Sequence, residues 1–217
     1  MRKILNILFI VTMFLFCCKN KQEHFFNTSL QNKIKPTSNC DTLTCDEINL
    51  LCNGDIIMRQ GRGAISLAIS SQLNEKYKLS HCGILNIEND SINVIHTLSL
   101  SVSKTNGMQQ STLNEFIADT YNNSVIVVRL KNRDNHKIAN KAKYYLSKKI
   151  PFDDDFNFAD TTKFFCNELI SHILAVECNT NLVDTAADDE MQNMSFGRFV
   201  DTTKFDIVIN HQTTDKQ

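Results

Sequence analysis

The chain has 217 residues, of which 42% are hydrophobic and 22% are charged, and its formal net charge is -1. This length and composition fit one globular domain, with room for a disordered tether beside it. A net charge near zero, without a basic stripe along the chain, excludes the electrostatic footprint of a nucleic-acid-binding protein.

The N-terminal residues have the pattern of a bacterial export signal. Two basic residues precede an apolar run over 4–16, which is too short to span a bilayer comfortably as a permanent helix. The run ends at Cys17 and Cys18, with Leu15 three residues before Cys18, and the chain then turns polar, as in lipoprotein signals. We therefore expect a lipoprotein signal peptide over 1–18, lipidation of Cys18, and anchoring in the cell envelope, facing the periplasm or the cell exterior. An ordinary signal peptide, a signal anchor and lipidation of Cys17 are the alternatives.

A polar stretch separates this signal from the folded part. Residues 19–43 are rich in Asn, Lys, Gln and Thr and show no apolar period, which predicts a flexible tether. The folded domain is predicted over 44–217. It begins with the capping box Thr44-Cys45-Asp46-Glu47, which precedes the apolar residues of a short helix.

Strands and helices then follow without regular alternation. Short apolar runs bounded by turn residues predict strands over 55–58, 81–87, 92–98, 124–130 and 205–209. Apolar residues spaced by three or four predict helices over 64–73, from a second capping box at 112 to 117, from 138 to before Pro151, and from the Asp160-Thr161-Thr162 cluster to Val176. Grouped strands with helices around them indicate the α+β class rather than repeated βαβ units.

Six of the eight cysteines lie beyond the export signal. They are Cys40, Cys45, Cys52, Cys82, Cys166 and Cys178. An oxidising compartment permits a disulfide among the first three, or from one of them to Cys178. A zinc site needs closely paired ligands such as Cys-x-x-Cys, and no such pair occurs, so we predict no metal site, and we expect no cofactor.

Three segments carry residues suited to nucleophilic catalysis. Ser80-His81-Cys82-Gly83-Ile84 and Val94-Ile95-His96-Thr97 each place a histidine on a predicted strand, and Phe165-Cys166-Asn167-Glu168-Leu169 places a cysteine in the first turn of a helix. Taken singly, a helical cysteine is usually a small core residue and a strand histidine a satisfied polar group.

Together the three segments fit one mechanism. A helix N-terminus and a nearby imidazolium lower the pKa of a thiol, and the base needs a third polar group that fixes its tautomer. Neighbouring antiparallel strands can present both histidines on one face of the sheet. The free N–H groups of the first helical turn can form an oxyanion hole.

These segments, preceded by Gly54-Asp55-Ile56-Ile57 and in this order, resemble the YiiX-like family of circularly permuted relatives of papain-fold, NlpC-type peptidases. The likeness runs over 52–176. Val94-Ile95-His96 is also similar to the second strand of lecithin:retinol acyltransferase relatives. The resemblance implies a permuted papain-like α+β fold, in which a small antiparallel sheet with both histidines packs against the cysteine helix.

The resemblance also assigns roles to residues. Cys166 is the implied nucleophile, His81 the base and His96 the orienting group. Three positions depart from the family pattern, since Asn167 replaces a serine, Phe165 replaces a tyrosine, and His96 stands where many relatives carry a glutamate.

Four further residues are expected on the substrate side of the cleft: Asp55, Asp153, Phe165 and Glu168. Three of them have a structural alternative. Asp55 would shape a turn, Glu168 would pair with a lysine, and Asp153 would belong to a solvated turn rather than receive a cationic amine.

The function indicated is that of an exported cysteine hydrolase, an amidase or peptidase that forms a thioester on Cys166. Its expected substrate is a cell-wall peptide or another amide. One alternative keeps the chemistry and acts on a lipid acyl chain or lipid amide. Another is a lipoprotein that binds a ligand in the same cleft without catalysis.

Overall fold

The fold is taken from a computed structural model, which describes residues 43–183 and 190–212. The helices are α1 (Cys45–Leu50), α2 (Ala64–Leu73), α3 (Leu113–Ala118), α4 (His136–Lys148), α5 (Cys166–Cys178) and α6 (Glu190–Asn193), followed by a 3-10 helix (Gly197–Val200). The strands are β1 (Ile56–Arg59), β2 (His81–Glu88), β3 (Ser91–Leu98), β4 (Gly107–Thr112), β5 (Ile126–Leu130) and β6 (Phe205–Asn210). The predicted signal peptide and lipidation site, and the tether up to residue 42, lie outside the described residues.

The six strands form one antiparallel sheet in the order β4-β3-β2-β1-β5-β6. The predicted α+β class with an antiparallel sheet is therefore confirmed. The turn between β2 and β3 lies at Asn89 and Asp90, which have positive φ values of 49° and 60°. Such values are those of the two-residue turns whose twist matches antiparallel strands. This hairpin brings the two histidine segments together.

The sheet has an apolar layer on each face. Ile56 and Met58 of β1 point into a core formed with α4 and α5, whereas Ile57 points into a second core formed with α3. Side chains alternate between the faces of a strand, so the centre of the sheet is covered on both sides. The residues of β1 are all buried for this reason.

Both predicted capping boxes are confirmed. The hydroxyl of Thr44 accepts a hydrogen bond from the Glu47 N–H, and the Glu47 carboxylate accepts one from the Thr44 N–H. Thr112 and Glu115 repeat the arrangement at the start of α3. These caps supply acceptors for N–H groups that the first helical turn leaves free.

The predicted start of the cysteine helix was wrong. Asp160 accepts hydrogen bonds from the Thr162 N–H and hydroxyl, which closes a local turn, and α5 begins at Cys166. Local side-chain bonds of this kind compete with a helix for the same backbone groups. Cys166 therefore occupies the first helical position.

Two other elements differ from the sequence prediction. Strand β4 was missed because its residues, Gly-Met-Gln-Gln-Ser-Thr, show no apolar alternation; it pairs with β3 at the edge of the sheet. Helix α2 exists as predicted, but its apolar residues Ile65 and Ile69 are 47% and 37% exposed, and Ser70 is its buried residue. Helix α2 thus contacts the first core through Leu73 at its C-terminal end, and Ile65 and Ile69 face outwards.

Within the described part of the chain, no helix is long and apolar enough to cross a membrane. The five cysteines of that part are unpaired: Cys45, Cys52, Cys82, Cys166 and Cys178. Cys40 lies outside it.

Candidate active site

Two histidines and a serine form a hydrogen-bonded chain across three strands. His81 Nε2 lies 2.9 Å from His96 Nδ1, and His96 Nε2 lies 3.2 Å from the Ser111 hydroxyl. A neutral imidazole has one donor and one acceptor. If each ring donates towards Ser111, then Nδ1 of His81 is left unprotonated, which is the form a general base needs. His96 is thus placed to orient His81, and Ser111 to orient His96.

Both histidines are held in the neutral form. Each is 5% exposed. Burial lowers the pKa of His81 well below its ordinary value, with further lowering by the neighbouring His96 and Arg59. Burial and then Arg59 lower the pKa of His96 to about 4. Because a buried imidazolium lacks solvation, both rings are uncharged at neutral pH.

The Ser-His-x-Gly segment is shaped by close packing. The Ser80 hydroxyl accepts a hydrogen bond of 2.9 Å from the Gly61 N–H, which ties the start of β2 to the chain after β1. A Cβ atom on Gly83 would lie 2.4 Å from Val94 Cγ1 and 3.2 Å from His96 Cβ. A side chain at Gly83 would therefore push against the strand that carries His96.

Arg59 belongs to the same cluster and was not found from the sequence. It pairs with His81 in the β1–β2 register, and it is 6% exposed. Its guanidinium lies 4.7 Å from the centre of the Phe116 ring, which is also 5.6 Å from the His81 ring and 5.5 Å from the His96 ring. A charged residue at the end of the apolar strand β1 was the available signal, but only the strand register shows that it faces His81.

Cys166 lies where β2 and β3 separate. The hydroxyl of Thr97 donates a hydrogen bond of 3.2 Å to the carbonyl of Phe164, which fixes the segment before α5 against β3. The pairing of β2 with β3 begins at Ile84 and so does not include Cys82. The backbone N–H of Cys82 is one of the groups that lower the pKa of Cys166.

The surroundings of Cys166 favour its thiolate. A hydrogen bond with the Cys82 thiol lowers the pKa of Cys166, and bonds from the backbone N–H groups of Asn167, Cys82 and Cys166 itself lower it further, against the opposing effect of burial. Burial raises the pKa of Cys82 well above its ordinary value. Cys166 is thus the member of the pair that ionises first, which is the property of a nucleophilic cysteine.

The structure brings Cys166 and His81 to the same end of the sheet without a direct hydrogen bond between them within the described residues. The charge of Arg59 acts on both Cys166 and His81. Cys82, whose thiol interacts with that of Cys166, directly follows His81 in the chain. Catalytic hydrogen bonds are often long before a substrate is bound.

Three of the expected substrate-side residues hold the segment before α5. Phe165 packs against Phe156 and Phe158 at ring distances of 5.2 and 4.9 Å. Glu168 accepts a 3.1 Å hydrogen bond from the Phe165 N–H, and burial raises the pKa of Glu168 to about 8. Asp153 is fully buried and accepts N–H bonds from its own loop, besides an ion pair with Lys163. Their contact with a substrate stays a prediction.

Asp55 is not brought to the cysteine and histidines. It precedes β1, at the opposite end from Arg59, and its buried carboxylate accepts bonds of 2.7 and 2.8 Å from Arg129 Nε and Nη2. The neighbouring Gly54 has a φ of +84°, and a Cβ there would lie 1.9 Å from the Asn135 carbonyl. The Gly-Asp motif thus anchors the start of β1. Gly54 supplies the positive φ, and Asp55 supplies the buried carboxylate that pairs with Arg129.

The contact between the two thiols leads to a prediction. Cys82→Ala removes the hydrogen bond that lowers the pKa of Cys166, so alkylation of Cys166 by iodoacetamide should shift to higher pH. Cys82→Ser is the matched control, because its hydroxyl can still donate and should keep the profile near that of the parent protein. The rate of Cys166 labelling is followed by peptide mass at graded pH. An unchanged profile in Cys82→Ala would show that Cys82 does not support the thiolate.

Comparisons with known proteins identify the family and the fold. A family model described as "Permuted papain-like amidase enzyme, YaeF/YiiX, C92 family" matches residues 51–199. The crystal structure of the metalloprotein YiiX from Escherichia coli O157:H7 is similar in fold, with a TM-score of 0.56 and 19% identity, over 74% of this chain and 98% of that chain. No curated protein matches the sequence. Within the described residues, no group of three or more His, Cys, Asp or Glu could hold a metal ion.

The family match contains all three segments that carry the histidines and the cysteine. At 19% identity the structural likeness shows the fold alone, whereas the family model covers most of the chain. The chain therefore belongs to the C92 family of permuted papain-like amidases, the YaeF/YiiX family, and is a cysteine hydrolase.

Proposed function

We propose that the protein is an exported amidase that cleaves a cell-wall peptide or another exported amide through a thioester on Cys166. The observation that carries this proposal is a thiol of lowered pKa in the first turn of α5, at the end of the sheet where His81 and His96 are hydrogen-bonded. A nucleophile, a base and an orienting group are the parts that acyl transfer requires.

The first half of the reaction forms the thioester. His81 Nδ1 takes the proton of Cys166 as the sulfur attacks the amide carbonyl carbon, so that a C–S bond forms and the carbonyl oxygen becomes an oxyanion. N–H groups of the first turn of α5 lie on this side and stabilise that charge. The imidazolium of His81 then gives its proton to the amide nitrogen, the C–N bond breaks, and the amine leaves.

The second half releases the acid. His81 takes a proton from water as the water oxygen attacks the thioester carbon. The C–S bond breaks as the imidazolium of His81 returns its proton to the sulfur, the carboxylic acid leaves, and the Cys166 thiol and neutral His81 are restored. In both halves His96 Nδ1 accepts the hydrogen bond from His81 Nε2 and stabilises the imidazolium that forms, as the third member of a triad does.

A lipid substrate is the second candidate. The exposed apolar side chains of α2, which follows soon after Arg59 in the chain, would suit an acyl chain. One assay separates the two. The purified protein is incubated with peptide amides and with lipid esters and amides; release of a new amine from peptides supports the amidase, whereas release of fatty acid alone contradicts it. Release of neither, with an unreactive Cys166, would indicate a binding protein.

Export and anchoring are proposed from the N-terminal pattern of residues 1–18. Cys18→Ser is expected to abolish incorporation of a fatty-acid probe, because a lipoprotein is acylated on the thiol of the cysteine that follows the cleavage site. The protein is labelled in cells, isolated and read by its fluorescence and mass, with Cys17→Ser as the matched control. Loss of label only in Cys17→Ser would move the site by one residue, and label in both variants would overturn the anchor.

A further inference from the structure

Two arginines lie near Cys166: Arg59, which is buried, and Arg198, which is half-buried but has buried Nε and Nη2 atoms. Arg59 lies against the Phe116 ring that also contacts both catalytic histidines. Arg198, in the 3-10 helix, lies 5.7 Å from the ring of Phe158, which packs on the residue before Cys166. The charges of both guanidinium groups act on Cys166. Two cationic groups on different elements, β1 and the 3-10 helix, therefore act on the nucleophile.

Both guanidinium groups have buried N–H groups without an acceptor. These are Arg59 Nε and the Nε and Nη2 atoms of Arg198. Arg59 Nη1 bonds the carboxylate and the carbonyl of Asp119, whereas Arg198 has one weak bond of 3.4 Å, from Nη1 to the Leu182 carbonyl. Buried donors are nearly always paired, so a cluster of unpaired donors beside a nucleophile calls for an acceptor that arrives with a ligand.

Among the described residues, the neighbouring carboxylates do not balance the two charges. The Asp119 side chain is 58% exposed, so its charge is screened by solvent. Both carboxylate oxygens of Glu75, which acts on Arg198 from a distance, bond the Phe196 and Gly197 N–H groups and the Ser195 hydroxyl. Among the described residues, Arg198 makes no ion pair. A positive site thus remains beside the thiol.

We propose that Arg59 and Arg198 form an anion-binding subsite that holds a carboxylate of the substrate close to the amide that is cut. The planar guanidinium fork matches the two oxygens of a carboxylate, and the bond is strong where water is excluded. The preferred substrate is then a peptide amide with a free carboxylate next to the scissile bond. This inference rests on the proposed amidase function for its substrate, but the subsite itself can be tested without any turnover.

The test compares two alkylating reagents on Cys166. Iodoacetate and iodoacetamide both form an S–CH2 bond with loss of iodide, and they differ only in carrying a carboxylate or a carboxamide. Because both react with the same thiolate, the ratio of their rates does not depend on the thiolate fraction. The ratio is measured at about pH 8, where histidine is uncharged and cannot itself attract the anion.

The parent protein should favour iodoacetate. Arg59→Gln and Arg198→Gln should each lower the iodoacetate-to-iodoacetamide ratio by about tenfold, the order of a hydrogen bond to a charged group. Asp119→Asn changes an exposed residue and frees Arg59 from its competitor, so the ratio should rise. Arg133→Gln is the matched control, because Arg133 is an exposed arginine that bonds the Cys178 carbonyl, and its ratio should not move. Circular dichroism and melting temperature confirm folding for each variant.

Several outcomes would overturn the subsite. The first is a parent protein in which Cys166 reacts faster with iodoacetamide than with iodoacetate, as a small thiol does. The second is an iodoacetate-to-iodoacetamide ratio that is unchanged in both arginine variants. The third is a ratio that does not rise in Asp119→Asn. If inorganic phosphate protects Cys166 from alkylation better than acetate does at equal concentration, the proposed carboxylate ligand would be wrong and a phosphate would take its place. If the iodoacetate-to-iodoacetamide ratio behaves as expected but no carboxylate-bearing amide is cleaved, the subsite stands and the amidase proposal is contradicted. Failure of the subsite and failure of the amidase proposal are therefore distinguishable.

Discussion

Replacement of Cys166 by alanine is expected to reduce amide turnover to background, a loss on the order of 10⁴-fold or more, as for other enzymes that lose a nucleophile. The reason is that the attack needs the thiol whose pKa is lowered by its hydrogen bond with Cys82 and by backbone N–H groups. Cys82 is the nearest thiol, but burial raises its pKa well above the ordinary value. It cannot take over the attack, since the thiolate is the reactive form.

The measurement for Cys166→Ala is the initial rate of amine release from a peptide amide. Cys178→Ala is the matched control, because Cys178 is a buried cysteine at the other end of the same helix, and burial raises its pKa. It should keep the turnover of the parent protein per folded molecule. An active Cys166→Ala protein would end the catalytic assignment, as would an inactive Cys178→Ala protein that is fully folded.

Replacement of His81 by alanine should be nearly as severe. It removes the group that takes the thiol proton and returns it to the leaving amine. His96→Ala should cost less, roughly 10⁴-fold or below, because an orienting group takes part in no bond change. His96→Gln or His96→Glu should recover part of this loss, since either side chain can accept the bond that His81 Nε2 now donates to His96 Nδ1.

The same series tests whether the three residues act as one unit. The double variant Cys166→Ala with His81→Ala should be little worse than Cys166→Ala alone, because members of a triad are not additive. His172→Ala is the matched control: this histidine lies on α5, bonds the Tyr145 hydroxyl at 2.9 Å, and is outside the cluster. Rates are compared for variants shown to be folded. Full activity in His96→Ala would remove His96 from the site, and losses that add in the double variant would separate His81 from the nucleophile.

Some of the cluster could not be predicted because it depends on strand register. His81 and His96 stood out by residue type, but Arg59 is one of many charged residues, and only its pairing with His81 places it at the site. Ser111 lies on β4, a strand without apolar alternation, so neither the strand nor its bond to His96 was visible in the sequence. Arg198 comes from a 3-10 helix far along the chain, where no local pattern relates it to Cys166.

The sequence by itself determined the features that few neighbouring residues control. The capping boxes at Thr44 and Thr112 form as predicted, and the turn at Asn89 and Asp90 falls between two predicted strands, because the hydrogen bonds and dihedral preferences involved join residues close in the chain. The ordered histidine and cysteine motifs also determined the family, since each motif places a residue type that the reaction needs at a fixed position in a short segment.

Only the tertiary structure decided the start of the cysteine helix, the exposure of α2 and the electrostatics of the thiol. Helix α5 begins at Cys166 because the hydroxyl of Thr97, far away in the chain, donates a hydrogen bond to the Phe164 carbonyl and holds the preceding segment against β3. The pKa of Cys166 is set by Cys82 and by backbone N–H groups that long-range packing brings together. Such contacts join residues far apart in the chain, and their burial and distance follow from how the sheet and helices pack, which no local pattern encodes.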